Sequence, residues 1–254
     1  MSKIPISLVI ITLNEENNIA RCIQSVPFAD EVIIVDSGSS DKTLEIAESL
    51  GAKISFEKWQ GFYHQKNKAT ELAKNDWVLS LDADEALGED SQNEILDLMS
   101  GKLEYDGYIF PRLSFHLGRW IWHGGWYPDK QLRFFNKNKC HWKNTNVHEH
   151  VVGENIKLLK KPILHYVFKD LAHQVDTNNR YSGLGTQDLI SKNKKFSLFR
   201  LATKPISKFI ECDFFKRGIL DGMPGFIIAV SASYSIFLKF AKLWEYEKVK
   251  VREK

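Results

Sequence analysis

The chain has 254 residues, 43% of them hydrophobic and 26% charged, with 35 Lys+Arg against 32 Asp+Glu for a formal charge of +3. That is enough for one large α/β domain or two small ones with an ordinary core, and too balanced in charge for a disordered polyelectrolyte or a protein that coats nucleic acid. The three cysteines, Cys22, Cys140 and Cys212, are odd in number and widely spaced, so no disulfide framework or paired-thiolate metal site can be read from them, and a reducing compartment fits.

The apolar run around Leu8-Val9-Ile10-Ile11 follows a single Lys3 and meets Asn14-Glu15-Glu16. Too short and too soon acidic for a secretory signal, it predicts a strand over Ile6 to Leu13. Glu15 to Val26 places Ile19, Cys22, Ile23 and Val26 on one helical face, with Asn14 as the expected N-cap. Glu31 to Asp36 reads as a second buried strand. Ser40-Asp41-Lys42-Thr43 then opens a helix carrying Leu44, Ile46, Ala47 and Leu50, closed by Gly51. Ala52 to Phe56 is a third strand, Gly61 to Lys74 a helix through Ala69, Leu72 and Ala73, and Trp77 to Leu81 a fourth strand ending in acid. Four βα units in a row predict a parallel, doubly wound sheet. Ligands of such sheets sit beyond the carboxyl ends of the strands, here Thr12 to Glu15, Asp36 to Ser39 and Asp82 to Glu85.

From Tyr105 to Tyr166 the texture changes to short strands and turns; six of the eight histidines and four of the seven tryptophans lie between His116 and His165. After Lys169 the pattern is helical to the end, with basic and aromatic residues interleaved. The stretch Phe226 to Phe240 is interrupted by three serines, Tyr234 and Lys239, and falls short of the roughly 20 apolar residues a spanning helix needs. Were these helices packed on a folded domain, Gly222-Met223-Pro224-Gly225 would be the hinge between them. Such a surface predicts attachment to anionic headgroups through an apolar face, against the alternative of helices packed on a catalytic domain.

Asp82-Ala83-Asp84 places two carboxylates at i and i+2 at a strand end, a sparse oxygen site of the kind that holds a hydrated divalent ion on a phosphate. Dinucleotide and P-loop glycine fingerprints are both absent, which counts against nicotinamide enzymes and ATPases. Asp36 reads equally as a nucleoside contact or as a turn acid capping the next helix. Arg133 offers a planar fork for a diphosphate, or a structural ion pair. His148 and His150 flank Glu149 in a His-Glu-His run, which is not the HExxH pair that a helix brings together, and this argues against a zinc site.

Three ordered motifs, Ile10 to Glu16, Val35 to Thr43 and Trp77 to Glu85, together resemble glycosyltransferase family 2 over residues 4 to about 90. Trp120 to Asp129, Arg133-Phe134-Phe135 and Asn146 to Glu149 extend the resemblance to the branch that includes lipopolysaccharide core β-glucosyltransferases. The resemblance implies a GT-A fold: residues 1–168 form the catalytic domain, 1–103 its Rossmann-like nucleotide-sugar half and 104–168 a mixed acceptor-side half, with 169–254 a helical, amphipathic, membrane-associating extension. It further implies a UDP-sugar donor contacted by Thr12, Asn14, Glu15, Asp36, Gly38, Lys66, Asp82 and Arg133. A Mg2+ or Mn2+ ion would be held by Asp84, with Asp82 and His148 as further candidates. Glu149 is the first choice of general base and Asp129 the second, and Trp122, His123, Trp126 and Tyr127 would bind the acceptor.

The implied reaction is an inverting transfer of a hexose, glucose from UDP-glucose, to a sugar hydroxyl of a lipid-linked oligosaccharide. No nucleic acid is involved, and the place of work is the cytoplasmic face of the inner membrane. The alternatives are a polyprenyl-phosphate glycosyltransferase, which needs no base, and a non-catalytic membrane-surface protein, which leaves the strand-end motifs unexplained.

Overall fold

The computed structural model describes residues 4–143 and 149–250. It divides into two compact units, one formed by Met1–Leu113 with Pro128–Tyr166 and the other by Ser114–Tyr127 with Val167–Lys254. The aromatic segment 114–127, expected in the acceptor-side half, is therefore grouped with the C-terminal helices.

The first unit begins with β1 (Ile6–Thr12), α1 (Ile19–Gln24), β2 (Glu31–Asp36), α2 (Thr43–Ser49), β3 (Lys53–Phe56), α3 (Phe62–Leu72) and β4 (Trp77–Asp82). A short β5 (Glu85–Leu87) and α4 (Glu89–Ser100) lead into β6 (Gly107–His116), whose last three residues pair with β7 (Arg119–Ile121) in the second unit. Then come β8 (Asp129–Asn136), β9 (His141–Lys143), β10 (His150–Val152), β11 (Ile156–Leu158) and β12 (Ile163–His165). The sheet order is β3-β2-β1-β4-β8-β6-β12-β5, with β7 and β11 also on β6, while β9 and β10 form a separate antiparallel ribbon. The first four strands are mutually parallel and β8 joins antiparallel to β4. This is the expected α/β class.

The parallel half follows from the residues. β1 is apolar on both faces: Ile6, Leu8 and Ile10 pack with Ile19, Cys22 and Ile95, and Val9 packs on the other side with Ala69, Ala73 and Trp142. A strand buried on both faces reads as a continuous β-branched run, which is why the pattern was legible. The parallel register sets Thr12 beside Asp36 and Ile11 beside Asp82, so the carboxyl ends of β1, β2 and β4 meet along one edge.

One expectation fails locally. Helix α1 starts at Ile19, four residues after the predicted start, and Asn14 is no N-cap. It sits at φ 57, a left-handed conformation Asn tolerates, donates its backbone N–H to Ser39 Oγ (2.9 Å) and accepts from the Ser40 N–H at Oδ1 (2.8 Å). Competition from these loop-to-loop bonds displaces the first helical turn.

The second unit holds the β6–β7 hairpin, whose two-residue loop Leu117-Gly118 has positive φ at both positions. Three helices complete it: α5 (Leu171–Ser191), α6 (Leu198–Ile210) and α7 (Gly222–Glu245). Asp170 caps α5 by accepting from the His173 N–H (2.8 Å), and Ser197 caps α6.

The reversal between α6 and α7 lies earlier than the expected Gly-Met-Pro-Gly hinge. A π-helical turn Glu211–Phe215 and Arg217 at φ 57 turn the chain into a 3-10 turn, Gly218–Asp221. Gly222 to Gly225 then form the first turn of α7, where Pro224 costs no hydrogen bond because the first N–H groups of a helix have no intrahelical acceptor. Together the 3-10 turn, α7 and the π-helical turn Tyr246–Lys250 that follows it give one helical stretch, Gly218–Val249, long and apolar enough by length and composition to cross a membrane. The sequence reading, which stopped at Phe240, did not allow for this.

Gly225 is required by close approach. A Cβ there would stand 1.9 Å from Gly218 O. Gly225→Ala is expected to destabilise the protein by about 1–3 kcal/mol through overpacking against backbone that cannot yield; a thermal midpoint unchanged from wild type would refute the packing argument.

Candidate active site

The β1–α1 and β2–α2 loops are laced together at the sheet edge. Asp36 is buried and uses both carboxylate oxygens within its own turn: Oδ2 accepts from the Gly38 and Ser39 N–H groups (2.7 and 2.9 Å) and Oδ1 from Ser39 Oγ (2.5 Å). These bonds hold its own turn, and none of them reaches α2, which begins at Thr43. Gly38 has φ +109, which an L side chain resists. Glu15 donates its N–H to Thr43 Oγ1 (2.8 Å) and accepts from Asn18 Nδ2 at Oε2 (2.8 Å). Thr12 Oγ1, at the end of β1, is buried and has no partner among the described residues.

A network of alternating charge lies at the end of β4. Lys66 is held on the buried face of α3 with Gln65, Ala69 and Thr70. Its ammonium lies 3.0 Å from Asp82 Oδ1, 3.1 Å from Glu149 Oε1 and 5.0 Å from the Trp142 ring centroid. Arg133, on β8, donates through Nη2 to Asp82 Oδ2 (2.6 Å) and to Glu85 Oε1 (2.7 Å), while its buried Nε has no partner among the described residues. Glu85 is wholly buried; it also accepts from Arg112 Nη1 (2.9 Å) at Oε1 and from the Asp82 N–H (3.0 Å) at Oε2. Arg112 continues the chain to Asp129, donating from Nε (2.9 Å) and Nη2 (2.5 Å) to Oδ2, and Gln131 donates to Oδ1 (2.9 Å).

Burial disfavours each of these charges alone, and their mutual pairing prevails. Burial would raise the Asp82 carboxyl, but Arg133 and Lys66 hold it well below the usual carboxylate range. Burial would lower Arg133 and Arg112, but Asp82 and Glu85 keep Arg133 firmly charged, and Glu85 does the same for Arg112. The three cysteines are free and buried. Burial pushes the Cys140 thiol up to about 11 and the Cys22 thiol, beside the acidic cluster, well above its ordinary value, so neither is poised as a nucleophile.

Asp84 behaves differently from Asp82. Its half-buried Oδ2 lies 3.3 Å from His165 Nε2, and its backbone carbonyl accepts from the Tyr166 N–H (2.9 Å). Among the described residues no group of three or more His, Cys, Asp or Glu forms a cage for a metal. One carboxylate oxygen beside one imidazole nitrogen does fit a divalent ion such as Mg2+ or Mn2+ that completes its shell with water and substrate phosphate. Asp82, with a cation on each oxygen, fits that role less well than Asp84. His148 lies outside the described residues.

The structure thus gathers Lys66, Asp82, Arg133 and Glu149 directly and links Asp129 to them through Arg112 and Glu85. Glu85 and Arg112 were given no role in this site by the sequence, although the Glu after Asp84 was the available signal, and His165 reads there only as a sugar-contacting or structural histidine. The acceptor candidates Trp122, His123, Trp126 and Tyr127 belong to the second unit. There Trp122 is exposed and meets Tyr127 edge-on (centroids 4.8 Å), and Trp126 stacks on the buried His116 (5.6 Å). Burial lowers the His116 pKa, and its Nε2 lies 3.1 Å from Gln174 Oε1. Asp221, another residue with no sequence signal, is wholly buried. It accepts from the Trp122 and His123 N–H groups (3.1 and 2.8 Å) and lies 3.3 Å from Arg119 Nη2, fastening the aromatic loop to the turn before α7. Trp142 is core: its indole N–H donates to Thr70 Oγ1 (3.1 Å).

Comparison with known proteins shows the family. The family model for glycosyl transferase family 2 matches residues 7–163. An uncharacterized glycosyltransferase of Rickettsia typhi is 37% identical over 258 residues, covering 94% of this chain and 87% of the relative. The lipopolysaccharide core biosynthesis glycosyltransferase LpsC of Rhizobium meliloti is 28% identical over 264 residues, covering 98% and 96% of the two chains. Among solved structures, S. aureus TarS 1–349 matches 96% of this chain and 91% of its own at 13% identity and a TM-score of 0.47. With the family match spanning more than half its residues and carrying all three strand-end motifs, the chain belongs to glycosyltransferase family 2.

Proposed function

We propose that this glycosyltransferase is a metal-dependent, inverting hexosyltransferase that moves glucose from UDP-glucose to a sugar hydroxyl of a lipid-linked oligosaccharide, such as the inner core of lipopolysaccharide. The near full-length likeness to a relative named for lipopolysaccharide core biosynthesis supports the acceptor class. The observation that carries the chemistry is Lys66, whose ammonium contacts the strand-end Asp82 and also Glu149, which lies 83 residues further along the sequence than Lys66.

In this reading Thr12 and the Asn14–Glu15 and Asp36–Gly38 loops bind the uridine. Lys66 and the unpartnered Nε of Arg133 face the diphosphate, where fixed donors stabilise the charge that grows as UDP departs. Asp84, with His165 and, less directly, Asp82, would hold the divalent ion, which when bound supplies Lewis-acid stabilisation of that same leaving group. Glu149 takes the proton of the acceptor hydroxyl as its oxygen bonds to the anomeric carbon and the bond to the diphosphate breaks. Trp122, His123, Trp126 and Tyr127 offer apolar faces and polar edges to the acceptor sugar. The C-terminal helices attach the enzyme peripherally to the anionic cytoplasmic face of the inner membrane.

Thermal-shift measurements with a series of UDP-sugars, with and without Mg2+ or Mn2+, test this. A ligand at a hundred times its Kd stabilises by about 2.7 kcal/mol, a rise of several degrees. The largest rise is expected for UDP-glucose with metal; no rise with any UDP-sugar would overturn the proposal.

A further inference from the structure

Helix α6 buries none of its residues. Phe199, Ala202, Ile206 and Ile210 recur at three- and four-residue spacing on one side, and Arg200, Lys204 and Lys208 follow one another at four-residue spacing on the adjacent side. The turn that follows exposes Phe215 (81%), Phe214 and Leu220 (58% each) next to Lys216 and Arg217. On α7 the exposed Met223, Phe226, Val230, Tyr234 and Phe237 continue as one stripe at helical period. Scattered apolar residues on a surface are ordinary, but a continuous stripe over two helices and their turn is an interaction surface.

Charge identifies what covers it. Residues 192–217 hold eight basic side chains against two acidic ones, and Lys208 and Lys216 share one of the acids, Glu211 (3.2 and 2.6 Å). An apolar stripe flanked by excess positive charge complements an anionic lipid surface.

The opposite side of α7 fixes its orientation. Helix α5 closes it with polar bonds: Asn178 Nδ2 donates to Ser231 Oγ (2.5 Å), Thr186 Oγ1 to Lys239 O (2.9 Å), and Lys242 Nζ to Asn179 O (2.6 Å) and Ser182 Oγ (2.8 Å). If α7 crossed the bilayer, these groups and the polar length of α5 would enter hydrocarbon with it. Helix α6 packs on a further side, where Ser233 Oγ donates to Pro205 O (2.8 Å) and Phe209 meets Phe226 (centroids 5.8 Å). The exposed stripe is what α5 and α6 leave uncovered, and a helix held in this way by a polar helix lies in the interface plane.

We propose that α6, the turn through Phe214–Leu220 and the outer stripe of α7 form a monotopic anchor lying in the plane of an anionic bilayer, with Phe215 and Leu220 at its deepest point and Arg200, Lys204 and Arg217 on lipid phosphates. This rests on the peripheral attachment proposed above and specifies its element, orientation and lipid charge.

The test is co-sedimentation of the full chain with phosphatidylcholine vesicles, alone or with about 30% phosphatidylglycerol. Anionic vesicles are expected to bind at least about tenfold more tightly; a Phe215→Ser/Leu220→Ser double variant should lose about tenfold on them, and Lys204→Glu should abolish the preference for anionic lipid. Alkaline carbonate should strip the bound protein from the vesicles. UDP-glucose-dependent thermal shifts, measured without vesicles, should be unchanged in all variants, which separates loss of the anchor from misfolding. Equal binding to both vesicle types, resistance to carbonate, or a dimer that needs Phe215 and ignores vesicles would each overturn the anchor. Loss of vesicle binding with nucleotide-sugar binding intact overturns only the anchor; vesicle binding without any UDP-sugar response overturns the reaction instead.

Discussion

Glu149→Gln is expected to lower kcat for transfer by about 10²–10⁴-fold while the affinity for UDP-glucose stays within a few-fold, because a positioned general base contributes about that factor and acts only on the acceptor proton. Glutamine preserves shape and can still accept a hydrogen bond from Lys66, whose ammonium also keeps its contact with Asp82. The donor-side charges therefore stay paired, and any loss reports on the base. Single-turnover kinetics at saturating acceptor, with UDP-glucose binding measured separately, distinguish the two effects. Asp129, the other candidate, already carries Arg112 on one oxygen and Gln131 on the other, so its carboxylate is committed to fixing the strand-end network. The variant also separates acceptor classes. A phosphate acceptor brings its own anionic oxygen and needs no base, so near-normal turnover would remove Glu149 from the mechanism and favour a polyprenyl-phosphate acceptor.

The parts of this site that could be read in the sequence are those set by short-range chemistry. The strands ending at Thr12, Asp36 and Asp82 are runs of β-branched and apolar residues closed by polar ones, and the parallel register brings their ends together once the βα alternation is recognised. What could not be read are pairings across long separations. Glu85 meets Arg133 48 residues on, and Arg119 meets Asp221 102 residues on; no periodicity marks one partner for the other. Local pattern also misled where tertiary bonds competed. Asn14 has the composition of an N-cap, yet its side-chain Oδ1 is taken by the Ser40 N–H, and Pro224 looks like a helix breaker although it stands in the first turn of α7. The anchor surface is intermediate: its amphipathic period is visible in sequence, but only the polar bonds from α5 to α7 give it an orientation.

Arg133→Met is expected to destabilise the protein by about 3 kcal/mol at neutral pH, because it leaves the buried Glu85 and the half-buried Asp82 with one cation fewer. Methionine keeps most of the side-chain volume, so the cost is electrostatic rather than a cavity. The pH dependence gives the prediction its sign. Asp82 in the folded protein is held well below the ordinary carboxylate range, chiefly against burial by Arg133 and then Lys66. A carboxyl depressed on folding contributes stability in full above its unfolded pKa of about 3.9, and loses it as pH falls below that value toward the folded one. Removing Arg133 raises the folded value of Asp82, so the gap between wild type and variant should be widest above about pH 4 and narrow as acid protonates the unpaired carboxyl. Urea unfolding midpoints at pH 7 and pH 3, with unchanged m-values, measure this directly. Adding Asp82→Asn to Arg133→Met should recover part of the loss at pH 7, since it removes the charge left without its guanidinium. A gap independent of pH would mean that Arg133 stabilises by packing alone, and would then locate its importance in the unpartnered Nε available to a diphosphate rather than in the ion pairs.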